Sequence, residues 1–207
     1  MTIVILGASG GIGRQLVSQA LGRGLVVRAL VRDPEHADFT PHPQLKVVRA
    51  DVHDPASIAA AINPGDVLLS GLGVPSRAEA GTLTAGARAV VAAHPARIVW
   101  LGAMGTGPSR AAVSGPIRWM LRAAFGPEYD DKVTADTTIL DAGGTVVHSG
   151  PLSDKPDNPA LRLEPIDRMP RQFFPAGGPR ASIARLMLDV ATNPTTRATL
   201  LAVEVGQ

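Results

Sequence analysis

Apolar residues along this chain come in short runs that alternate with stretches of helical spacing. Thr2 to Leu6 (TIVIL), Leu25 to Val31, Leu45 to Ala50, Asp66 to Ser70, Arg97 to Leu101 and Thr145 to His148 are brief, β-branched and apolar. Each reads as a strand buried on both faces. Between them lie amphipathic or alanine-rich segments. One follows Arg14, one runs from Asp54 to Ile62, one from Ala78 to Ala93, and one ends at Leu140. Asp54 and Pro55 set the second of these up well: Asp suits the N-cap, and Pro suits the first helical position. Strands alternating with helices predict an α/β fold, a Rossmann-like doubly wound parallel sheet with helices on both faces. Residues 151–182 break the pattern. They are rich in Pro, Arg and Asp, and predict a loop region over the C-terminal edge of the sheet. A helix over Ala181 to Ala191 and a last strand over Thr199 to Val205 close the chain. We expect a single domain over residues 1–207, with a core of 1–150 and a small loop-rich lobe in 151–182.

The turn after the first strand carries the chemistry. Gly7, Gly10 and Gly13 form G-x-x-G-x-x-G between a strand and a helix, the setting a dinucleotide-binding turn requires. The first glycine turns the chain off the strand, the second leaves room for a pyrophosphate, and the third lets the helix pack closely. The helix start offers N–H groups and a positive dipole end to phosphate.

Composition narrows the class. Of 207 residues, 45% are hydrophobic, which fits a globular chain. No run of about 18 apolar residues suggests a membrane span. No secretory signal is read at the start, and cysteine is absent, which suits a cytoplasmic protein and excludes thiolate chemistry. The net charge of +2 with no basic run argues against nucleic acid as a partner. His36, His42, His53, His94 and His148 are scattered and suggest no metal site. The expected partners are a small-molecule substrate and, at most, a second copy of the chain.

GASGGIGR (7–14), LVRDP (30–34), ADVHD (50–54), LLSGLG (68–73), K-x-x-A-D (132–136), HSGPLSD (148–154) and PRASIA (179–184) occur in this order over nearly the whole chain. In this set the protein resembles the atypical short-chain dehydrogenases/reductases, specifically the NAD(P)H-binding proteins grouped with biliverdin-IXβ/flavin reductases and NmrA-like regulators. The resemblance implies that Gly7, Gly10, Gly11, Ile12 and Gly13 wrap the pyrophosphate, that Ser9 also binds the cofactor, and that Arg14 assists at the corner of Arg32. Arg32 suits a 2′-phosphate, which favours NADP over NAD, although Asp33 beside it could serve NAD and the pair could also be a solvated turn. Asp51 and Val52 take the adenine position. Ser70, Gly71, Leu72 and Gly73 line the ribose and nicotinamide side, and Ala103, Met104, Pro151 and Leu152 border the ring. Trp119 and Phe174 are candidate substrate contacts.

The pattern breaks at the usual catalytic group. Gly102 and Ala103 stand where the family has serine, and the only tyrosine, Tyr129, precedes Lys132 by three residues rather than four. Tyr129 and Lys132 are the candidate catalytic residues. Tyr129 reads either as a shifted acid or as a packing aromatic. Lys132 reads either as a ribose contact or as a solvated lysine. Without a placed acid, a conjugated acceptor such as a flavin, quinone or tetrapyrrole suits the site better than a simple ketone. A non-catalytic NmrA-like sensor and a sugar-nucleotide epimerase or dehydratase are the alternatives. An open, mainly apolar cleft is expected at the nicotinamide end.

Overall fold

The computed structural model describes residues 1–73, 81–106, 109, 126–166, 177–193 and 199–204. Eight strands form one sheet: β1 (Thr2–Leu6), β2 (Val26–Val31), β3 (Leu45–Arg49), β4 (Val67–Ser70), β5 (Arg97–Ala103), β6 (Thr145–Ser149), β8 (Leu161–Pro165) and β10 (Thr199–Glu204). Their order is β3-β2-β1-β4-β5-β6-β10-β8. Every pairing is parallel except β10 with β8, which is antiparallel. The order reverses between β1 and β4. Doubly wound sheets bind ligands at that switch point, beyond the strands' C-terminal ends.

Among the described residues, five helices cover the sheet: α1 (Gly11–Gly22), α2 (Pro55–Ala61), α3 (Thr82–Ala92), α4 (Pro127–Asp141) and α5 (Arg180–Thr192). Alternation along β1 divides the core. Ile3 and Ile5 pack with Leu16 of α1 and Ile183, Met187 and Leu188 of α5. Val4 and Leu6 face the other way, among Ile58, Leu83, Val90 and Ile139 from α2, α3 and α4. The central strands are apolar on both sides because each side meets a helix layer. Among the described residues, no helix is long and apolar enough to cross a membrane.

The strands and helices read from the sequence appear within a few residues of their expected bounds. Residues 151–182 differ from the loop expected there. They contain β8 and a small second sheet in which β7 (Leu152–Ser153) pairs in parallel with β9 (Gly178–Pro179). Leu161-Arg-Leu-Glu does alternate, with Leu161 buried and Arg162 exposed. That period of two is the signal of an edge strand. The paired dipeptides β7 and β9 are too short to leave any periodicity.

Candidate functional site

β1 delivers the chain to Gly7, whose φ of +71° suits a residue with no side chain. Gly13 is held by proximity instead. A Cβ there would overlap the Gly7 carbonyl oxygen and lie 2.6 Å from Ala8 Cα. The turn closes through Gly10 N–H to Gly7 O at 3.1 Å. The N-cap of α1, Gly10, has an extended backbone and no side chain over the helix start. The first intrahelical bond, Arg14 N–H to Gly10 O, leaves the preceding N–H groups at the mouth of a cavity.

That cavity holds about 520 Å³. It runs along the switch point and is lined by Gly7, Ser9, Gly10, Gly11 and Ile12 from the turn and by Arg32, Asp51, Val52, Gly71, Leu72, Gly73 and Leu152. All of these were expected from the sequence. A second cavity, of about 170 Å³, lies beyond the ends of β5 and β6. Leu72, Gly73, Leu101 and Leu152 line both, so the two are adjacent. Ala103, Lys132, Asp136, Ser149 and Gly150 belong to the second.

Some expected residues stand elsewhere. Arg14 lines neither cavity. Its guanidinium donates to the carbonyls of Ser9, Ala37 and Asp38 and lies 5.5 Å from the Phe39 ring centre. It holds the loop after β2 against the glycine turn. Gly13 and Ser70 are buried behind the lining: Gly13 seats α1, and the Ser70 hydroxyl accepts from Leu72 N–H at 3.3 Å. Met104 is buried, with its N–H donating to Ser149 O, and exposed Pro151 gives its carbonyl to Gly178 N–H. Neither Met104 nor Pro151 lines a cavity. Trp119 and Phe174 lie outside the described residues. The second cavity has a mainly apolar lining, as expected of the cleft beyond β5 and β6, and sets Lys132, Asp136 and Ser149 within it.

Tyr129 is a buried residue whose hydroxyl donates to Gly105 O at 2.8 Å. It lines neither cavity and anchors the loop after β5 to α4. The shifted-acid reading of Tyr129 thus meets a hydroxyl already committed to a carbonyl. Tyr129→Phe should cost about 1–3 kcal/mol of stability, since it strands a buried acceptor. NADPH affinity should survive, as measured by denaturant unfolding and cofactor titration.

Lys132 reaches the cavity because α4 is pinned to α3. Gly81, the N-cap of α3, has no side chain to offer. The buried Asp131 carboxylate takes that role, accepting from Leu83 N–H at 3.1 Å and Thr84 N–H at 2.9 Å. This sets the next residue, Lys132, and Asp136 one turn on, against the second cavity.

After β3, Asp51 Oδ1 accepts from His53 N–H at 2.9 Å, and His53 lines the cavity. Asp33 turns away into its own loop. Its carboxylate accepts from Glu35 N–H and meets His36 Nδ1 at 2.7 Å. The hydrogen bond from His36 is the main cause holding Asp33 below the ordinary carboxylate range.

Sequence reasoning missed Arg180 and Asp136. Arg180 opens α5 and lies across the glycine turn, where a Cβ on Gly11 would come within 2.8 Å of its Nε. It lines the large cavity and pairs with Asp154 Oδ1 at 2.5 Å. Both residues lay inside quoted motifs, PRASIA and K-x-x-A-D. Only the topology brings these to the cavity.

Fold, turn and cavity together define a Rossmann-type α/β protein. The chain belongs to the NAD(P)H-binding family, whose pattern matches residues 7–194. ChuY of Escherichia coli O157:H7, an anaerobilin reductase, is similar over 100% of this chain and 98% of its own, with a TM-score of 0.79 and 20% identity. A short-chain dehydrogenase/reductase of Veillonella parvula, solved in complex with NADP, has a TM-score of 0.79 and 17% identity over 99% and 95% of the two chains. At such identities the likeness is one of fold. Among curated relatives, the photosystem II assembly factor Ycf39 of Cyanophora paradoxa is 39% identical over 62 residues, 30% of this chain and 19% of that protein. Dihydroflavonol 4-reductase of Dianthus caryophyllus is 37% identical over 70 residues, again 30% and 19%. These matches span about a fifth of the relatives' length.

Proposed function

We propose that this chain is an NADPH-dependent oxidoreductase that reduces a conjugated small molecule, of the flavin, quinone or tetrapyrrole kind. The observation that carries the reading is the adjacency of the two cavities at the strands' C-terminal ends, where Leu72, Gly73, Leu101 and Leu152 line both. One has the dimensions and glycine cradle for a dinucleotide, and the other leaves space beside it for an acceptor. Gly7, Ser9, Gly10, Gly11 and Ile12 would hold the pyrophosphate, with Arg180 above it. Asp51, Val52 and His53 would flank the adenine. Gly71 to Gly73, Ala103 and Leu152 would border the nicotinamide ribose and ring, with Lys132 near the ribose. The bound cofactor supplies the hydride. The chain contributes proximity and orientation in a site where Gly102 and Ala103 offer no hydroxyl. The anaerobilin reductase and NADP-bound neighbours are in keeping with this reading.

Arg32 lines the cavity, whereas Asp33 is engaged within its own turn. We therefore assign NADP as the preferred cofactor. Arg32→Ala should weaken NADPH binding by about 1.5–3 kcal/mol, the value of a charge-assisted contact to phosphate, and leave NADH binding nearly unchanged. Titration of both cofactors with both proteins checks this. An unchanged preference would remove Arg32 from the 2′-phosphate.

One observation favours a second reading, a cofactor-binding sensor: no described tyrosine or serine hydroxyl stands free at the nicotinamide end in the usual catalytic arrangement. Turnover separates the two. A sensor binds oxidised and reduced cofactor with different affinities and oxidises no NADPH when acceptors are supplied.

A further inference from the structure

Beneath the second cavity lies a buried cluster that the reading above does not use. Asp136 of α4 and His148 of β6 are almost wholly enclosed, with Asp136 Oδ2 and His148 Nδ1 3.9 Å apart. Both crowd the Cα of Gly102. A Cβ there would stand 3.0 Å from Asp136 Oδ2, 2.9 Å from His148 Nδ1 and 2.8 Å from Val146 Cγ1. The absent serine at this position and the presence of the pair are thus one fact, since the pair fills the room a side chain would need. Asp136 also lines the cavity in which an acceptor would lie.

Counting protons over the cluster fixes its state. Ala103 O carries none. His148 Nδ1 lies 2.8 Å from it and must donate, which leaves Nε2, buried and without a partner, as a bare lone pair on a neutral ring. Thr106 Oγ1 lies 2.7 Å from the same carbonyl and 2.9 Å from Asp136 Oδ2. It has one proton for the two contacts, and only by donating to the carbonyl can it sit so close to it. The contact with Asp136 is then filled by a proton on the carboxyl itself. Ser109 does not compete, because its hydroxyl lies closer to Thr106 O, at 2.7 Å, than to Ala103 O, at 3.2 Å. Asp136 is therefore a neutral acid whose proton rests on the Thr106 contact and whose side chain forms part of the cavity wall, so that a turn of the carboxyl is needed to present the proton to an acceptor.

We propose that Asp136 is the proton donor of this site. The inference rests on the reductase reading. A C–H bond of the reduced nicotinamide breaks and its hydride forms a new bond on the acceptor's conjugated system. The O–H bond of Asp136 breaks and its proton forms a new bond on the acceptor's oxygen or nitrogen. The Asp136 carboxylate then recovers a proton from water at the cavity mouth. The acceptor leaves with two more electrons and two more hydrogens, and the cofactor leaves oxidised. The chain so replaces the serine and tyrosine hydroxyls with a carboxylic acid presented from the helix that bears Lys132.

The titration of Asp136 agrees. Burial, the largest cause, raises its pKa to about 7 against the opposing charge of Lys132. Burial lowers that of His148 to about 4. Among the described residues, the titratable groups facing Asp136 are Lys132 on its own helix and His148 on β6. β5 presents Gly102 and Ala103, which carry no charge.

Two measurements test the proposal. The first needs no cofactor. In the chain labelled with carbon-13 at aspartate carboxyls, one signal present in the wild type and absent from Asp136→Asn should titrate with a midpoint near 7. An Asp136 already ionised at about pH 5 overturns the proposal whatever the chain catalyses. The second is NADPH oxidation with a naphthoquinone acceptor. Asp136→Asn keeps a donor toward Thr106 but has no acid proton to give. Its kcat should fall on the order of 10²–10⁴-fold with the NADPH Kd unchanged. Wild-type kcat should hold steady at low pH and fall as pH rises through 7. An unaltered kcat in the variant overturns Asp136 as donor and leaves the reductase reading standing. Wild-type protein that oxidises no NADPH with any conjugated acceptor overturns that reading and the donor together. If Asp136→Asn does not fold, the wild-type pH profile decides alone, and a rate that does not fall above neutrality overturns the proposal.

Discussion

Gly13→Ala should abolish NADPH binding and destabilise the fold by at least about 3 kcal/mol, at the upper end of the range for overpacking. A methyl group at this position meets the Gly7 carbonyl oxygen and Ala8 Cα. Those atoms belong to the backbone of the turn and cannot rotate aside as a side chain would. Relief requires α1 to move off the sheet, which pulls Leu16 and Val17 from the core. Gly10→Ala provides the contrast. Its Cβ would stand 3.3 Å from Gly7 O, a tight contact but a tolerable one. Its methyl would project where the pyrophosphate must approach. Gly10→Ala should therefore lose most cofactor affinity at a small cost in stability, whereas Gly13→Ala loses both. Urea unfolding and cofactor titration on the two variants separate these effects. If Gly13→Ala unfolds at the wild-type midpoint, the close helix–turn packing described here is wrong.

The second large effect is a pH dependence of stability in which two buried groups oppose each other. The pKa of Asp136 is raised from 3.8 to about 7 by folding. Its contribution is full below 3.8 and is lost as pH rises toward 7, because the unfolded chain releases a proton that the folded chain retains. The pKa of His148 falls from 6.5 to about 4. Its contribution is full above 6.5 and is lost as pH falls toward 4, because the unfolded chain takes up a proton that the folded chain refuses. Between about pH 4 and 6.5 the two slopes oppose each other at up to roughly 1.4 kcal/mol per pH unit each, and the wild type should show little dependence from this pair. Asp136→Asn removes one slope. Relative to the wild type, the variant should gain stability steadily from about pH 4 to about pH 7, on the order of 2–4 kcal/mol across the window as an upper bound. A stability difference that does not change with pH would show that Asp136 is ionised in the folded chain.

Much of this architecture was legible in the amino-acid pattern because its causes are local. Thr2 to Leu6 is apolar throughout since both faces of a central parallel strand are covered, and the glycine spacing after it admits few backbone shapes. Asp54 and Pro55 announced α2, and Asp54 does accept from Ser57 N–H as an N-cap should. The cavity lining from Gly7 to Ile12 and from Gly71 to Gly73 followed from strand ends meeting at one sheet edge. What was hidden depends on distant partners. Asp131 carries no local signal of its role, because the first turn of α3 that it caps lies 47 residues away in the chain. Arg14 reads as a phosphate ligand until the loop at Ala37 and Asp38 takes its guanidinium. Asp136 reads as the acid of a weak motif, and only the topology sets it over Gly102 beside His148, 12 residues along the chain.

The central claim is that this chain moves a hydride from NADPH to a conjugated acceptor held in the second cavity. The most direct test follows the loss of NADPH absorbance by purified protein with flavins, quinones and linear tetrapyrroles supplied one at a time. The account predicts saturable NADPH oxidation with at least one of them, faster than with NADH and slower in Asp136→Asn. Tight NADPH binding with no oxidation above the protein-free rate for every acceptor would contradict it.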